Sequence, residues 1–183
     1  MLICHDFNII ISFQYPNLNH GELMKKSLLT YLLVMGIPCF AETFEPIQKY
    51  EMTLSLANSF GRNILSECNK LGKTGTVSVV DSAGNIVIVM RGDNVGPHNT
   101  LAAQRKAYTA LSTKSNTYEL MKKAQNNSEM ANLNTVNELL LLGGGAPVIY
   151  KDQVIGAVGV AGMGGSEFDN KCAIKGIENT INK

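Results

Sequence analysis

The side chains best suited to bind a ligand lie close together in one stretch of the sequence. They are Arg91, His98, Arg105, Lys106 and Tyr108. His98 follows a Gly-Pro pair and precedes a helical pattern, so we expect an accessible imidazole that could donate to a metal ion. Tyr108 offers a phenol oxygen, and the three cations could pair with carboxylates of a ligand. The alternative to a binding site is that His98 is an ordinary surface histidine and that Arg105, Lys106 and Tyr108 form a solvated face of the helix.

Recognisable catalytic patterns are absent from the sequence. There is no Ser-His-Asp or Cys-His arrangement and no His-Glu-x-x-His motif, and His98 is the only histidine after residue 20. A histidine metal cage or a catalytic triad would therefore lack partners. The sequence favours a binding protein over an enzyme.

Two short motifs have simpler explanations than a function. Arg91-Gly92-Asp93 closes a strand pattern and opens a turn, which is typical of turn chemistry. The glycine-rich run at 156–168 lies between a strand and a helix, as phosphate-binding loops do, but it has neither GxGxxG nor GK[ST]. Glycines within a strand more often indicate close backbone packing, and we interpret this run in that way.

Four helices are predicted to position these side chains. Apolar residues three and four apart predict a helix over 53–71, with Thr53 or Ser55 as its cap. Further helices are predicted over 99–113 and 117–126 and from Ser166 onward, where Asp169 forms an approximate capping box. Residues 128–142 end in four leucines, which fit either a helix end or a short buried strand.

Strand patterns surround the central helices. Residues 76–81 and 86–91 are rich in β-branched side chains and predict a hairpin, and 146–150 and 154–162 predict a second one. Hairpins pair antiparallel, and helices must cover the sheet. The sequence therefore predicts an α+β fold with a single antiparallel sheet of about five strands and helices packed on it.

Composition limits the partners. The chain has 183 residues and a net charge of +1, and no run of basic residues is longer than two. Binding to nucleic acid needs clustered positive charge, so nucleic acid is not an expected partner.

Residues 24–41 have the three parts of a secretory signal peptide. Two lysines follow Met24, an apolar run comes next, and small residues precede a cut before Glu42. The apolar run is shorter than the roughly 20 residues of a membrane span, so we expect no span in the mature form and a periplasmic or secreted protein. Residues 1–23 then stand before the signal peptide, and we expect Met24 to be the true start.

The folded domain is then expected at 42–183, which retains two of the four cysteines. These are Cys68 and Cys172, both on predicted helices. In an oxidising compartment they could form a disulfide, or they could be two small buried apolar residues. The sequence leaves both possibilities open.

Three ordered blocks of the chain resemble the GlcG/HbpS family of haem-binding or haem-degrading domains. The first is the hairpin ending in RGD at 91–93, followed by a helix with an Ala-x-x-Lys-Ala-x-Thr-Ala pattern at 103–110. The second is GGGAPVIYKDQVIGAVGVAG at 143–162, and the third is Asp169 at the opening of the last helix. Together they span almost all of residues 53–181.

The resemblance implies a profilin-like sandwich, assembly into a homo-oligomer and haem as the ligand. With haem, His98 and Tyr108 become the candidate donors to iron, and Arg91, Arg105 and Lys106 the candidate partners of the propionates. His98 matches no family-wide histidine, so its role rests on this sequence alone. The alternative function is an oligomeric module without a cofactor, serving a sensor or an operon partner protein. An enzyme acting on haem or a small organic acid ranks last, because no acid-base pair is visible.

Overall fold

The computed structural model describes residues 45–181, so the predicted signal peptide and the segment before it lie outside the described residues. The elements, in chain order, are α1 Leu54–Lys70, β1 Thr76–Asp81, β2 Ile86–Arg91, α2 His98–Thr113, α3 Thr117–Asn126, α4 Ser128–Ala131, a 3-10 turn Asn132–Thr135, β3 Gly145–Tyr150, β4 Gln153–Ala161 and α5 Ser166–Ile181. None of the helices in this range is long and apolar enough to span a bilayer.

The strands form one antiparallel sheet in the order β2-β1-β4-β3. Both predicted hairpins are confirmed, and pairing of β1 with β4 joins them. The α+β class is therefore confirmed, but the described sheet has four strands where about five were expected. The leucine run at 139–142 forms no strand, because Leu139 and Leu141 pack with Leu120 and Ala124 in a small separate cluster.

Helices cover both faces of the sheet. On one face α1 and α5 bury the larger core, in which Phe60 and Ile64 pack against Val77 and Val79 of β1. On the other face α2 packs over β4, β1 and β3. Side chains alternate along a strand, so Val80 faces α2, where it packs with alanines of that helix.

Small residues allow α2 to lie very close to the sheet. A side chain at Gly159 would overlap the carbonyl oxygen of Ala103, and one at Gly145 would overlap that of Lys106. Buried Ala103 and Ala107 complete this contact from the helix. The packing interpretation of the glycine-rich run is confirmed at Gly159, which lies within β4.

Two local features fix α1. Its first turn is capped by Thr53, whose hydroxyl oxygen accepts a hydrogen bond from the Leu56 N–H at 3.2 Å. Its last turn carries Cys68, which is joined by a disulfide to Cys172 of α5, with the two Cα atoms 5.4 Å apart. Of the two possibilities for the cysteines, the structure shows the pair.

Candidate functional site

One strand of the sheet is left uncovered on the α2 side. The helix packs on β4, β1 and β3 and barely touches β2. Val89 lies opposite Ser78, and Ile86 lies opposite Val80. Directly opposed residues share a face of the sheet, so Ile86 and Val89 both point to the side on which α2 lies. A groove therefore runs between the flank of α2 and strand β2.

Three of the predicted ligand-binding residues lie along the side of α2 that borders this groove. His98, Leu101, Arg105 and Tyr108 follow one another at spacings of three and four, which places them along one side of α2. They extend over roughly 15 Å of helix. Arg91 ends β2 on the same side, and a short loop connects it to His98. The structure thus brings four of the five predicted residues to one groove.

The groove deepens near Tyr108 into a cleft of about 330 Å³. Its lining residues are Val80, Gly84, Ile86, Leu101, Gln104, Arg105, Tyr108, Asn137 and Glu138. This volume is at the lower end of the range for small-molecule sites, and a few polar groups among apolar walls are typical of such sites. The cleft is open, so a large flat ligand would be only partly enclosed by one chain.

Tyr108 stands at the end of the cleft over the turn of the first hairpin. Its ring lies above Gly84, where an added Cβ would be 3.1 Å from the ring atom Cε2. Gly84 has a φ of +88°, a conformation that side chains disfavour. The turn therefore needs glycine for two reasons, and the second of them is to make room for the tyrosine. The phenol remains accessible, with 38% of the residue exposed.

Arg105 presents a polar group that lacks a partner. One of its terminal nitrogens, Nη2, donates to the Leu139 carbonyl oxygen at 2.5 Å. Its Nε is buried and has no hydrogen-bond partner among the described residues. Buried donors are nearly always satisfied, and a carboxylate is the natural partner of a guanidinium. The contact with Leu139 thus fixes Arg105 from one side, and the remaining N–H groups of the guanidinium can donate to an anion.

His98 is the first residue of α2 and is exposed, as predicted. Its ring lies against Gly96, where an added Cβ would be 3.0 Å from the ring atom Cε1. It does not line the cleft itself. Among the described residues no group of three or more His, Cys, Asp or Glu side chains could hold a metal ion. A metal at His98 would therefore need its other ligands from a bound cofactor.

Lys106 does not face the groove, and its predicted role as a propionate partner is not retained. The residue is 3% exposed. Its ammonium Nζ donates to Asp169 Oδ2 at 2.7 Å and to the Val160 carbonyl oxygen at 3.0 Å. The other oxygen of Asp169 accepts from the Met163 N–H at 2.8 Å. Lys106 instead ties α2 to β4 and to the first turn of α5.

Sequence reasoning missed several residues of the site. Asn137 and Glu138 line the cleft from a segment without regular structure, and no local pattern indicated that they would reach α2. The burial of Lys106 did have a signal, since it lies three residues after Ala103 and next to Ala107, on the small-residue side of the helix. A lysine on that side needs a buried carboxylate, which Asp169 supplies.

These observations define a class of protein: a single-sheet α+β domain with a groove between one helix and an uncovered edge strand. A family model described as "Haem degrading protein HbpS-like" matches residues 52–178. The chain belongs to this HbpS-like family, which confirms the resemblance seen in the sequence.

Three relatives illustrate the match. A double mutant of Streptomyces reticuli HbpS is 33% identical, with a TM-score of 0.69 over 79% of this chain and 97% of that one. An uncharacterized 15.0 kDa protein of Citrobacter freundii, from a dhaT-dhaS intergenic region, is 31% identical over 113 residues, which are 61% of this chain and 80% of the relative. PduOC, solved in complex with haem, is 24% identical, with a TM-score of 0.65 over 73% of this chain and 96% of that one, and this likeness shows a shared fold.

Proposed function

We propose that this protein binds haem in the groove between α2 and β2, as an exported homo-oligomer. The observation that carries the proposal is the cleft in which the Arg105 guanidinium and the Tyr108 phenol meet apolar walls, in a chain of the HbpS-like family. Haem needs an apolar surface, cations for its propionates and a donor to its iron. The described residues fit these three needs.

Each residue of the groove has a distinct part. Ile86, Leu101 and Val80 would contact the macrocycle, and the Arg105 guanidinium would hold a propionate. Tyr108 or His98 would donate to the iron, and Arg91 would add positive charge at the His98 end. When bound, haem supplies a redox-active iron, while the chain supplies binding and orientation.

Export is supported by two independent observations. The N-terminal segment has the pattern of a signal peptide. In addition, the domain contains the Cys68–Cys172 disulfide, and stable disulfides are typical of proteins in oxidising compartments. A periplasmic or secreted location is consistent with both.

Haemin titration tests the function and assigns the donor to iron. We expect a saturable Soret change for the wild type. Tyr108→Phe removes only the phenol oxygen, and His98→Ala removes the imidazole, so the variant that shifts the Soret maximum identifies the donor. An unchanged Soret band in both variants would remove both assignments. No saturable change in the wild type would exclude haem binding and favour the alternative, an oligomeric module without a cofactor. A stoichiometric complex with a partner protein would support that alternative.

Arg105→Met is expected to weaken haemin binding about 10- to 100-fold, because a hydrogen bond to a charged group contributes about 1.5–3 kcal/mol. The matched control is Arg62→Met, at an exposed position of α1 on the opposite face of the sheet. Urea unfolding of the haem-free Arg105→Met variant separates a binding defect from loss of the Leu139 hydrogen bond. Equal affinities of the two variants would contradict the assignment.

A further inference from the structure

The outer edge of β2 carries hydrogen-bonding groups without a strand partner. The Gly92 N–H donates to the Gly75 carbonyl oxygen at 2.9 Å, which makes these two residues a hydrogen-bonded antiparallel pair. Such pairs recur at every second residue, so Met90 and Ile88 bond to β1, whereas the N–H and C=O groups of Val89 and Arg91 point away from it. No described strand lies on that side of β2.

The opposite edge of the sheet has no such free donors at its start. The Val160 N–H donates to the Gly144 carbonyl oxygen, so the N–H of Gly145 points away from β4. That N–H donates to the Thr117 hydroxyl oxygen at 2.7 Å. The next outward position is Pro147, which has no N–H to offer. The two edges therefore differ: the edge at β3 is blocked at these positions, and the edge at β2 is open.

Strand β2 also lacks the side chains that normally protect an edge. Natural edge strands avoid pairing through lysines, prolines, inward-pointing charges or bulges. Strand β2 has a bulge at Val87, between its pairs Ile88–Val79 and Ile86–Val80, so its regular open edge is the part from Ile88 to Arg91. The sequence of β2 is IVIVMR, in which the only charge is the last residue. An open edge of this composition is suited to pairing with another strand.

We propose that the occupant of this edge is β2 of a second copy of this chain, paired antiparallel about a two-fold axis. An axis through Val89 places the outward groups of Val89 opposite those of the partner's Val89. Arg91 lies two residues from that axis, so the arginines of the two copies lie at opposite ends of the seam. Identical edges that complement each other in this way form an isologous contact, and the four strands of each copy join in one continuous sheet.

The pairing completes the groove, and this step rests on the proposed function. In one chain the groove has a helical wall on one side only, and its apolar rim is exposed, with Ile86 at 52% and Leu101 at 59%. A second copy extends the floor by its own β2 and adds its own α2 as the facing wall. Because the copies run antiparallel, the His98 end of one wall faces the Tyr108 end of the other. The haem site is then a trough shared by two chains.

The test measures assembly of the full chain without haem, by sedimentation equilibrium. We expect the wild-type chain to associate reversibly, with the dimer as the unit of assembly. Val89→Pro removes an outward N–H without cutting the β1–β2 ladder, and Val89→Lys adds a charge at the seam. Each is expected to weaken dimerisation at least tenfold. Ile149→Lys, at an exposed position of β3, is the matched control and should assemble as the wild type does. Circular dichroism identifies variants that fail to fold, and the Lys variant then replaces the Pro variant.

Haemin titration of the same proteins separates the two proposals. A wild type that stays monomeric, or folded Val89 variants that dimerise normally, would overturn the edge pairing whatever happens with haem. Dimeric wild type with weakened haemin binding in monomeric Val89→Pro, which puts no charge on the groove floor, supports the shared trough. If monomeric variants bind haemin as tightly as the dimer does, the trough is wrong and haem binding stands. If the dimer forms but binds no haemin, the proposed function fails and the edge pairing stands.

Discussion

Reduction of the Cys68–Cys172 disulfide is expected to lower the free energy of unfolding by about 4–5 kcal/mol. The bond joins residues 104 positions apart, and a cross-link closing a loop of that length removes a large amount of conformational entropy from the unfolded chain. Both sulfurs are buried between α1 and α5, the helices that cover one face of the sheet. The loss is a large part of the 5–15 kcal/mol, roughly, by which a domain is stable.

Urea unfolding of the full chain with and without reductant measures this loss. The double variant Cys68→Ala, Cys172→Ala should unfold near the midpoint of the reduced wild type. Reductant should leave the double variant unchanged, which controls for effects on the other two cysteines. A midpoint of the wild type that does not move on complete reduction of the bond would contradict the prediction.

The regular elements of this fold could be predicted because their signals are local. The β-branched residues of 76–81 and 86–91 and the turn between them specify a hairpin without reference to the rest of the chain. The same holds for α3, whose bounds Thr117 and Asn126 were predicted from the sequence alone. The leucine run at 139–142 is the exception. Leu139 and Leu141 are buried in a small helix-side cluster and belong to no strand.

Contacts between distant elements could not be predicted in the same way. The pairing of Cys68 with Cys172 depends on how α1 and α5 lie against each other, which neither helix specifies by itself. Arg91, His98, Arg105 and Tyr108 were predicted as ligand-binding residues from their types and their closeness in the sequence, but strand β2 as the floor beside α2 follows from strand order and register. The burial of Lys106 likewise depends on Asp169, which is 63 residues away in the chain.

The Lys106–Asp169 ion pair carries the second large prediction. Lys106→Met leaves a carboxylate buried without its cation, and Asp169→Asn leaves an ammonium buried without its anion. Each single variant is expected to lower the free energy of unfolding by about 3–5 kcal/mol, because an uncompensated charge in the interior is strongly unfavourable. The two side chains are 4% and 5% exposed, so solvent screens this pair little.

The double variant Lys106→Met, Asp169→Asn removes both charges, and the asparagine oxygen can still accept the Met163 N–H. We expect it to be more stable than either single variant, which gives a double-mutant cycle with a large coupling free energy in urea unfolding. Lys175→Met is the control, because Lys175 pairs with Glu178 at 2.9 Å on an exposed turn, and its loss should leave the unfolding midpoint in place. If the double variant loses as much unfolding free energy as the two single variants together, the two charges do not stabilise each other. Lys106 lies on α2 between the groove residues Arg105 and Tyr108, so a coupled pair would show that a contact joining this helix to β4 and α5 contributes strongly to the stability of the fold.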